Sequence, residues 1–274
     1  MYNNTLSYTQ RSILYSLLFA NLACILFYAI VLVGILKHYK AFGVVYLQFI
    51  VVVAFQDLSV LITPIWLYFP DPNTIPIPII LIVAIFYYVS IISELLTHTL
   101  IACNRFVAIV YIQHYKSIFT VKFCRLCLLA CFAVAFLCIP VTLMPSISSL
   151  VNKVVNGVCW LATMLLYTIA GIVSVKRVRK SLTHNRNNGS DFRRELKLLI
   201  QAALTTLVMS AVLISQFLPA CSSFECNVRS YFIILFYGSS TPLSYLVVDR
   251  TLISYLKKLM CRKSNKVATT VSNL

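Results

Sequence analysis

The sequence predicts an all-α membrane protein, a seven-transmembrane helix bundle with the N-terminus outside, the C-terminus cytoplasmic and a short amphipathic helix after the last span. Three observations predict it. Of 274 residues, 60% are hydrophobic and only 11% are charged, whereas soluble domains carry about a quarter charged residues. Apolar runs long enough to cross a bilayer, which takes about 20 residues at a rise of about 1.5 Å each, occur at 12–36, 42–69, 77–111, 126–146, 158–175, 198–219 and 230–248. Lys and Arg concentrate on alternate connections between those runs. The net charge of +16 belongs to that topology, because a nucleic-acid binder gathers its basic residues on a soluble polar module and no such module is present.

The elements follow in order. Residues 1–11 form an outer tail in which Asn3-Asn4-Thr5 is an N-glycosylation acceptor. The run at 12–36 is too long for a secretory signal and lacks a small-residue cleavage site, so it reads as a retained span. The run at 42–69 holds one acid, Asp57, within "FQDLSV"; the run at 77–111 holds Glu94, His98 and Arg105. The run at 158–175 is the shortest. After it comes "KRVRKSLTHNRNNGSDFRRELK", whose polar centre reads as a loop between two cationic helix extensions. Asn188-Gly189-Ser190 in that loop also matches the glycosylation triplet, but on the cytosolic side it stays bare. Cys221 and Cys226 flank "SSFE" in the last outer loop, where the oxidising side permits a local disulfide or two free thiols. Cys159 is a further candidate near that face, while Cys24, Cys103, Cys124, Cys127, Cys131 and Cys138 read as reduced apolar side chains.

Residues 12–248 thus make the transmembrane domain and 249–274 a cytoplasmic tail. In "TLISYLKKLM", Leu252, Ile253, Leu256, Leu259 and Met260 make one apolar stripe beside Lys257 and Lys258. That pattern reads as a helix on the inner leaflet with Cys261 as a palmitoylation candidate, or as a plain basic juxtamembrane tail.

With the N-terminus outside, the inward connections carry Lys37 and Lys40; Arg105, Lys116, Lys122 and Arg125; eight residues between the fifth and sixth runs; and six after the seventh. Twenty of the 23 basic residues therefore lie inside, against Arg11, Lys153 and Arg229 outside. Insertion retains basic residues on the cytoplasmic side, so this asymmetry sets the orientation. No repeat of 20 to 50 residues is evident, which argues against a transporter built from duplicated halves.

Glu94, His98 and Arg105 are costly groups to place in a span. At about 100° per residue, Glu94 to His98 is an offset of about 40° and Glu94 to Arg105 returns to within about 20°. All three project from one face. Because an ionised group at mid-bilayer costs at least about 2.5 to 3.5 kcal/mol, that face must point into the bundle. Asp71, Asp191, Glu195, Glu225 and Asp249 fall in connections or at span ends, leaving Asp57 and Glu94 as the two acids within spans. Their depths, roughly 22 and 16 Å from the inner ends, bring them close to one level. Two adjacent carboxylates in low dielectric cannot both ionise without a cation between them, so a shared proton or a monovalent ion is expected at Asp57 and Glu94. The alternative is that each is pinned separately by Ser, Thr or Tyr neighbours. His98 either extends this network or packs as a hydrogen-bonded core residue.

"ACNRFVAI" followed by "HYKSIFT", with "FQDLSV" and "TPLSY", resembles the rhodopsin-like seven-helix G-protein-coupled receptors. Within them the chain is most similar to the nematode serpentine chemoreceptors of class X. The resemblance implies that Asn104, Arg105 and Phe106 stand at the family's acidic-Arg-aromatic triplet and, with Tyr115, at the G-protein coupling end. It implies that Thr241, Pro242 and Tyr245 form the seventh-helix switch motif, that Asp57 is the aspartate of the family's sodium pocket, and that Glu94 is its neighbour. Asn104 stands where the family has an acid and Thr241 where it has Asn. No Trp occurs in spans four or six and no Cys at the outer start of span three. The partners implied are a heterotrimeric G protein and a small extracellular molecule, in the plasma membrane of a sensory cell.

Arg105 would pair at rest with Glu195 of "RRELK", and with partner backbone carbonyls once the helices separate; the other reading of Arg105 is a topology anchor. Attraction to anionic membrane lipid, about 1 kcal/mol per basic residue, accounts for the charge of the third inner loop by itself. The outer half of span three with Trp66, Trp160 and Tyr231 suits a partly apolar small ligand, or else holds helices at the headgroups.

Other classes fit less well. Of His38, His98, His114 and His184 only His98 is intramembrane, so a haem or metal enzyme is not expected, nor any cofactor. A hydrolase built on Glu94, His98 and Thr97 or Thr99 would lack an oxyanion device. The rival is an ion- or proton-coupled carrier or channel using Asp57, Glu94 and His98 as a relay. Arg105 and "TPLSY" favour the receptor.

Overall fold

The structure is a computed structural model that describes residues 7–37, 44–68, 76–142, 145–184, 200, 203–204, 206–208, 210–211, 214, 224–248 and 253–254. Every regular element among the described residues is a helix, the membrane-type all-α fold that the apolar runs predict. Helix α1 spans Tyr8–Lys37, α2 Val44–Tyr68, α3 Ile77–Val110, α4 Ile112–Ile118, α5 Val121–Leu137, α6 Ile139–Thr142, α7 Pro145–His184 and α8 Phe224–Val248. The described positions between 200 and 214 are also helical.

Local chemistry sets several boundaries. Ser7 and Gln10 form a capping box at the start of α1: the Ser7 amide donates to Gln10 Oε1 at 3.0 Å and the Gln10 amide to Ser7 Oγ at 3.3 Å. Pro76 and Pro78 open α3, where a missing N–H leaves no gap in the ladder. Thr120 Oγ1 accepts from the Phe123 amide at 3.2 Å and caps α5. Pro140, lacking an amide hydrogen, coincides with the break at Cys138 that separates α5 from α6.

Among the described residues, four helical segments are long and apolar enough to cross a membrane: Tyr8–Lys37, Val44–Thr63, Ile77–Val110 and Lys153–Arg177. A fifth results if α4 and α5, bent by 69°, are one span. Two sequence boundaries need correction. The fifth apolar run, read as 158–175, lies inside a 40-residue helix whose crossing segment is Lys153–Arg177. Hydropathy stops at Asn156, whereas the helix continues and buries that residue in the bundle. The fourth run, read as one span over 126–146, is interrupted at Cys138. Asn3, Glu195, Cys221 and Cys261 lie outside the described residues, as does most of the proposed helix after the last span.

Helix α3 is the central rod, packing on α2, α5, α6 and α7, while α1, α2 and α8 form a second group around α2. Val31, Ile35, Ile50 and Tyr245 join α1, α2 and α8; Phe49, Phe119, Cys124 and Leu128 join α2 to α5 beneath α3. Phe19, Leu26, Phe55, Leu129, Leu137 and Phe236 point outward, as expected of a chain whose solvent is hydrocarbon. At Gly238 a Cβ atom would lie 2.7 Å from Leu61 Cγ, so only hydrogen lets α8 approach α2 this closely.

Candidate functional site

The polar residues occupy two levels of α3, eleven residues and so about 16 Å apart along its axis. At the middle level Asp57 and Glu94 are 0% and 1% exposed, full burial that makes their partners decisive. Asp57 from α2 and Glu94 from α3 face each other and interact electrostatically, with Tyr237 of α8 beside Glu94. The Tyr28 hydroxyl of α1 donates to Asp57 Oδ2 at 2.5 Å. His98 Nε2 stands 3.7 Å from Glu94 Oε1, one turn along the same face and beyond hydrogen-bond distance. By strict hydrogen-bond geometry Asp57 Oδ1, both Glu94 carboxyl oxygens and His98 Nε2 are buried without a partner, although the Tyr237 hydroxyl and the opposing carboxyl are close enough to Glu94 to interact with it.

The reason for that shortage is local. Ser and Thr hydroxyls in helices bond back to carbonyls one turn earlier, and here they do so throughout the core. Ser59 donates to the Phe55 carbonyl, Ser93 to Ser90, Thr97 to Ser93 and Ser244 to Thr241, at 2.7 to 3.1 Å. Once those protons are committed, the hydroxyls of Ser93 and Thr97 can only accept, and they do so from Gln56 Nε2 at 3.0 and 3.2 Å. This fixes the Gln56 amide orientation and leaves its Oε1 buried without a partner as well. Around the two acids the donors are the hydroxyls of Tyr28 and Tyr237. A proton or a cation shared by the carboxyls would satisfy the oxygens that these leave over. Among the described residues no three His, Cys, Asp or Glu come together as a metal-ligand group, so a site here is built from the two acids and amide or hydroxyl oxygens.

Toward the N-terminal end of α1, Asn21 Nδ2 donates to the Leu61 carbonyl at 2.8 Å and to the Tyr231 hydroxyl at 2.9 Å, joining α1, α2 and α8. Tyr231 is thereby a buried strut. Trp160 Nε1 donates to Ser210 Oγ at 2.7 Å, and Thr99 meets Thr163 at 3.2 Å across α3 and α7.

At the second level, near the C-terminal end of α3, Arg105 is buried with its guanidinium 4.3 Å from the centre of the Tyr46 ring. Tyr167 of α7 lies within its field. Asn104 Nδ2 donates to the Tyr115 hydroxyl at 3.3 Å, tying α3 to α4, and Tyr115 stacks on Phe119. Phe106 contacts Tyr111 edge-on, away from the Asn104 pair. Thr241 and Tyr245 are buried, and Pro242 lies within α8 without ending it. Tyr245 packs on Val31, Ile35 and Ile50, close enough to Tyr28 to interact with it. The motif thus adjoins the middle level through α1.

Cys226 is disulfide-bonded, and Cys221, its expected partner, lies outside the described residues. Cys24, Cys103, Cys124, Cys127, Cys131, Cys138 and Cys159 are free thiols. The structure adds residues that hydropathy does not single out: Tyr28, Gln56, Tyr237, Tyr46 and Tyr167. Gln56 was the most accessible of these in the sequence, being an amide beside the one acid of its apolar run. Neither a protein-family model nor a curated protein matches the chain.

Proposed function

We propose that the chain is a G-protein-coupled receptor with seven spans and the N-terminus outside, activating a heterotrimeric G protein through the inner ends of spans three, six and seven. The observation that best supports this reading is the housing of Arg105. A guanidinium stays charged at any physiological pH, and this one is held on the central helix over the Tyr46 ring of α2, with Tyr167 of α7 within its field. Displacement of α2 uncovers its donors for a partner's carbonyls. Asn104, Phe106 and Tyr115 shape the α3–α4 corner beside it.

The Asp57–Glu94 pair is the second element of the proposal. It holds one positive charge, either a proton or a monovalent cation, with Asp57 Oδ1 and the two Glu94 oxygens as the acceptors. Through Tyr28 and Tyr245 that charge is felt at "TPLSY". A small extracellular molecule acting from the outer end would bias this network. The resemblance to nematode class X chemoreceptors points to a chemosensory role in the plasma membrane of a sensory cell.

The same column of unpaired acceptors also suits a carrier or channel that uses Asp57, Glu94 and His98 as a relay. The purified chain in lipid nanodiscs, mixed with heterotrimeric G proteins, should accelerate guanine-nucleotide exchange, and in liposomes it should pass neither protons nor sodium. Flux without exchange would replace the receptor by the carrier.

A further inference from the structure

Helix α3 ends at Val110 and α4 starts at Ile112, after the single non-helical residue Tyr111 at φ −116°, ψ 53°. The last carbonyls of a helix have no donor in their own ladder and carry the negative end of its dipole. The Tyr111 amide takes the Val107 carbonyl at 2.9 Å. Of the other end carbonyls, those of Ile109 and Val110 are both taken by a side chain from another helix. Arg177 of α7 donates Nη1 to Ile109 O, and Nη2 to Val110 O at 3.3 Å.

A basic residue at a membrane border ordinarily turns its charge toward headgroups or water. Arg177 instead aims both arms of its fork at the backbone of the central helix, one turn past Arg105. We propose that Arg177 is a positioning residue that clamps the C-terminal end of α3 to α7, so that this end of α3 and α7 move as one body and the α3–α4 corner keeps its shape during the switch. This rests on the receptor reading for its consequence, though not for the clamp itself. With α3 and α7 coupled here, the motion that uncovers Arg105 falls to α2 and its neighbours, on the Tyr46 side.

The planar fork matters more than the charge. Lys offers one ammonium and reaches two adjacent carbonyls less well, so Arg177→Lys should recover only part of what Arg177→Met or Arg177→Ala loses. The full-length chain and these three variants are purified in nanodiscs and compared by hydrogen–deuterium exchange and by ligand-independent nucleotide exchange on added G protein. Amides of residues 109–118 should exchange on the order of tenfold faster in Arg177→Ala and Arg177→Met, with Arg177→Lys between them and wild type. Amides of 50–60 and 89–100 should be unchanged, which shows that the variants fold. Nucleotide exchange should fall in the same order.

Unchanged protection over 109–118 in Arg177→Ala would overturn the clamp. Altered protection with wild-type nucleotide exchange in every variant would overturn the positioning role. Altered protection in a protein whose wild type drives no nucleotide exchange would leave the clamp standing and remove the receptor reading.

Discussion

The Tyr28 hydroxyl donates to Oδ2 of Asp57 at 2.5 Å, while Oδ1 of the same carboxyl has no hydrogen-bond partner. One phenol from α1 thus secures half of a fully buried acid. Hydrogen bonds to charged groups contribute about 1.5–3 kcal/mol. Tyr28→Phe should therefore lower unfolding free energy in detergent by an amount in that range. In a Tyr28→Phe/Asp57→Asn cycle the two losses should fail to add; simple additivity would mean that the bond contributes nothing.

Glu94→Gln converts one crowded acid into a group with two donors, in a core short of donors. It should raise thermal stability by about 1 kcal/mol and remove any dependence of that stability on sodium. Glu94→Asp, which keeps the charge and withdraws it, should not stabilise. A destabilised Glu94→Gln would show that the Glu94 oxygens already have the donors they need.

Gly238 faces Leu61 with no room for a Cβ, and Pro242 four residues on removes the amide that would bond the Gly238 carbonyl. A tight approach of α8 to α2 and a gap in the α8 ladder therefore coincide. Gly238→Val should destabilise by about 1–3 kcal/mol through overpacking, and Leu61→Ala in the same chain should recover part of it. Chemical denaturation of the two single variants and the double reads the coupling directly.

Asn21 Nδ2 donates to acceptors on two helices, the Leu61 carbonyl and the Tyr231 hydroxyl. Asn21→Leu leaves the Tyr231 hydroxyl and that carbonyl less well satisfied and should cost about 1–3 kcal/mol. Tyr231→Phe alone should cost less, because it removes only one of the two bonds. Equal losses from both would place the whole effect at Tyr231.

Much of this arrangement is readable from helical period and the price of charge in hydrocarbon. Spacing alone puts Glu94, His98 and Arg105 on one face of α3, and the structure buries all three. Depth counting brings Asp57 to the level of Glu94. What spacing cannot supply is the direction of each proton. That Ser93 and Thr97 donate backward and so accept only from Gln56 depends on which face of α2 turns toward α3, a tertiary fact. The length of α7 was hidden for another reason: Asn156 and Lys153 break the apolar run but not the helix, since backbone bonding is indifferent to side-chain hydropathy. Arg177 looked like one more inward-retained cation because its target is backbone, and backbone leaves no mark in a sequence.

The 40 residues of α7 make a rod of about 60 Å, twice the hydrocarbon thickness of about 30 Å. Pivoting by about 5° around its midpoint, such a rod swings each tip sideways by roughly 2.6 Å, a lever longer than any bilayer demands. With the Arg177 fork near one tip and the Thr99–Thr163 contact near the middle, α3 shares that lever, and a slight tilt of the pair reaches the α3–α4 corner as a sideways shift without any helix having to bend.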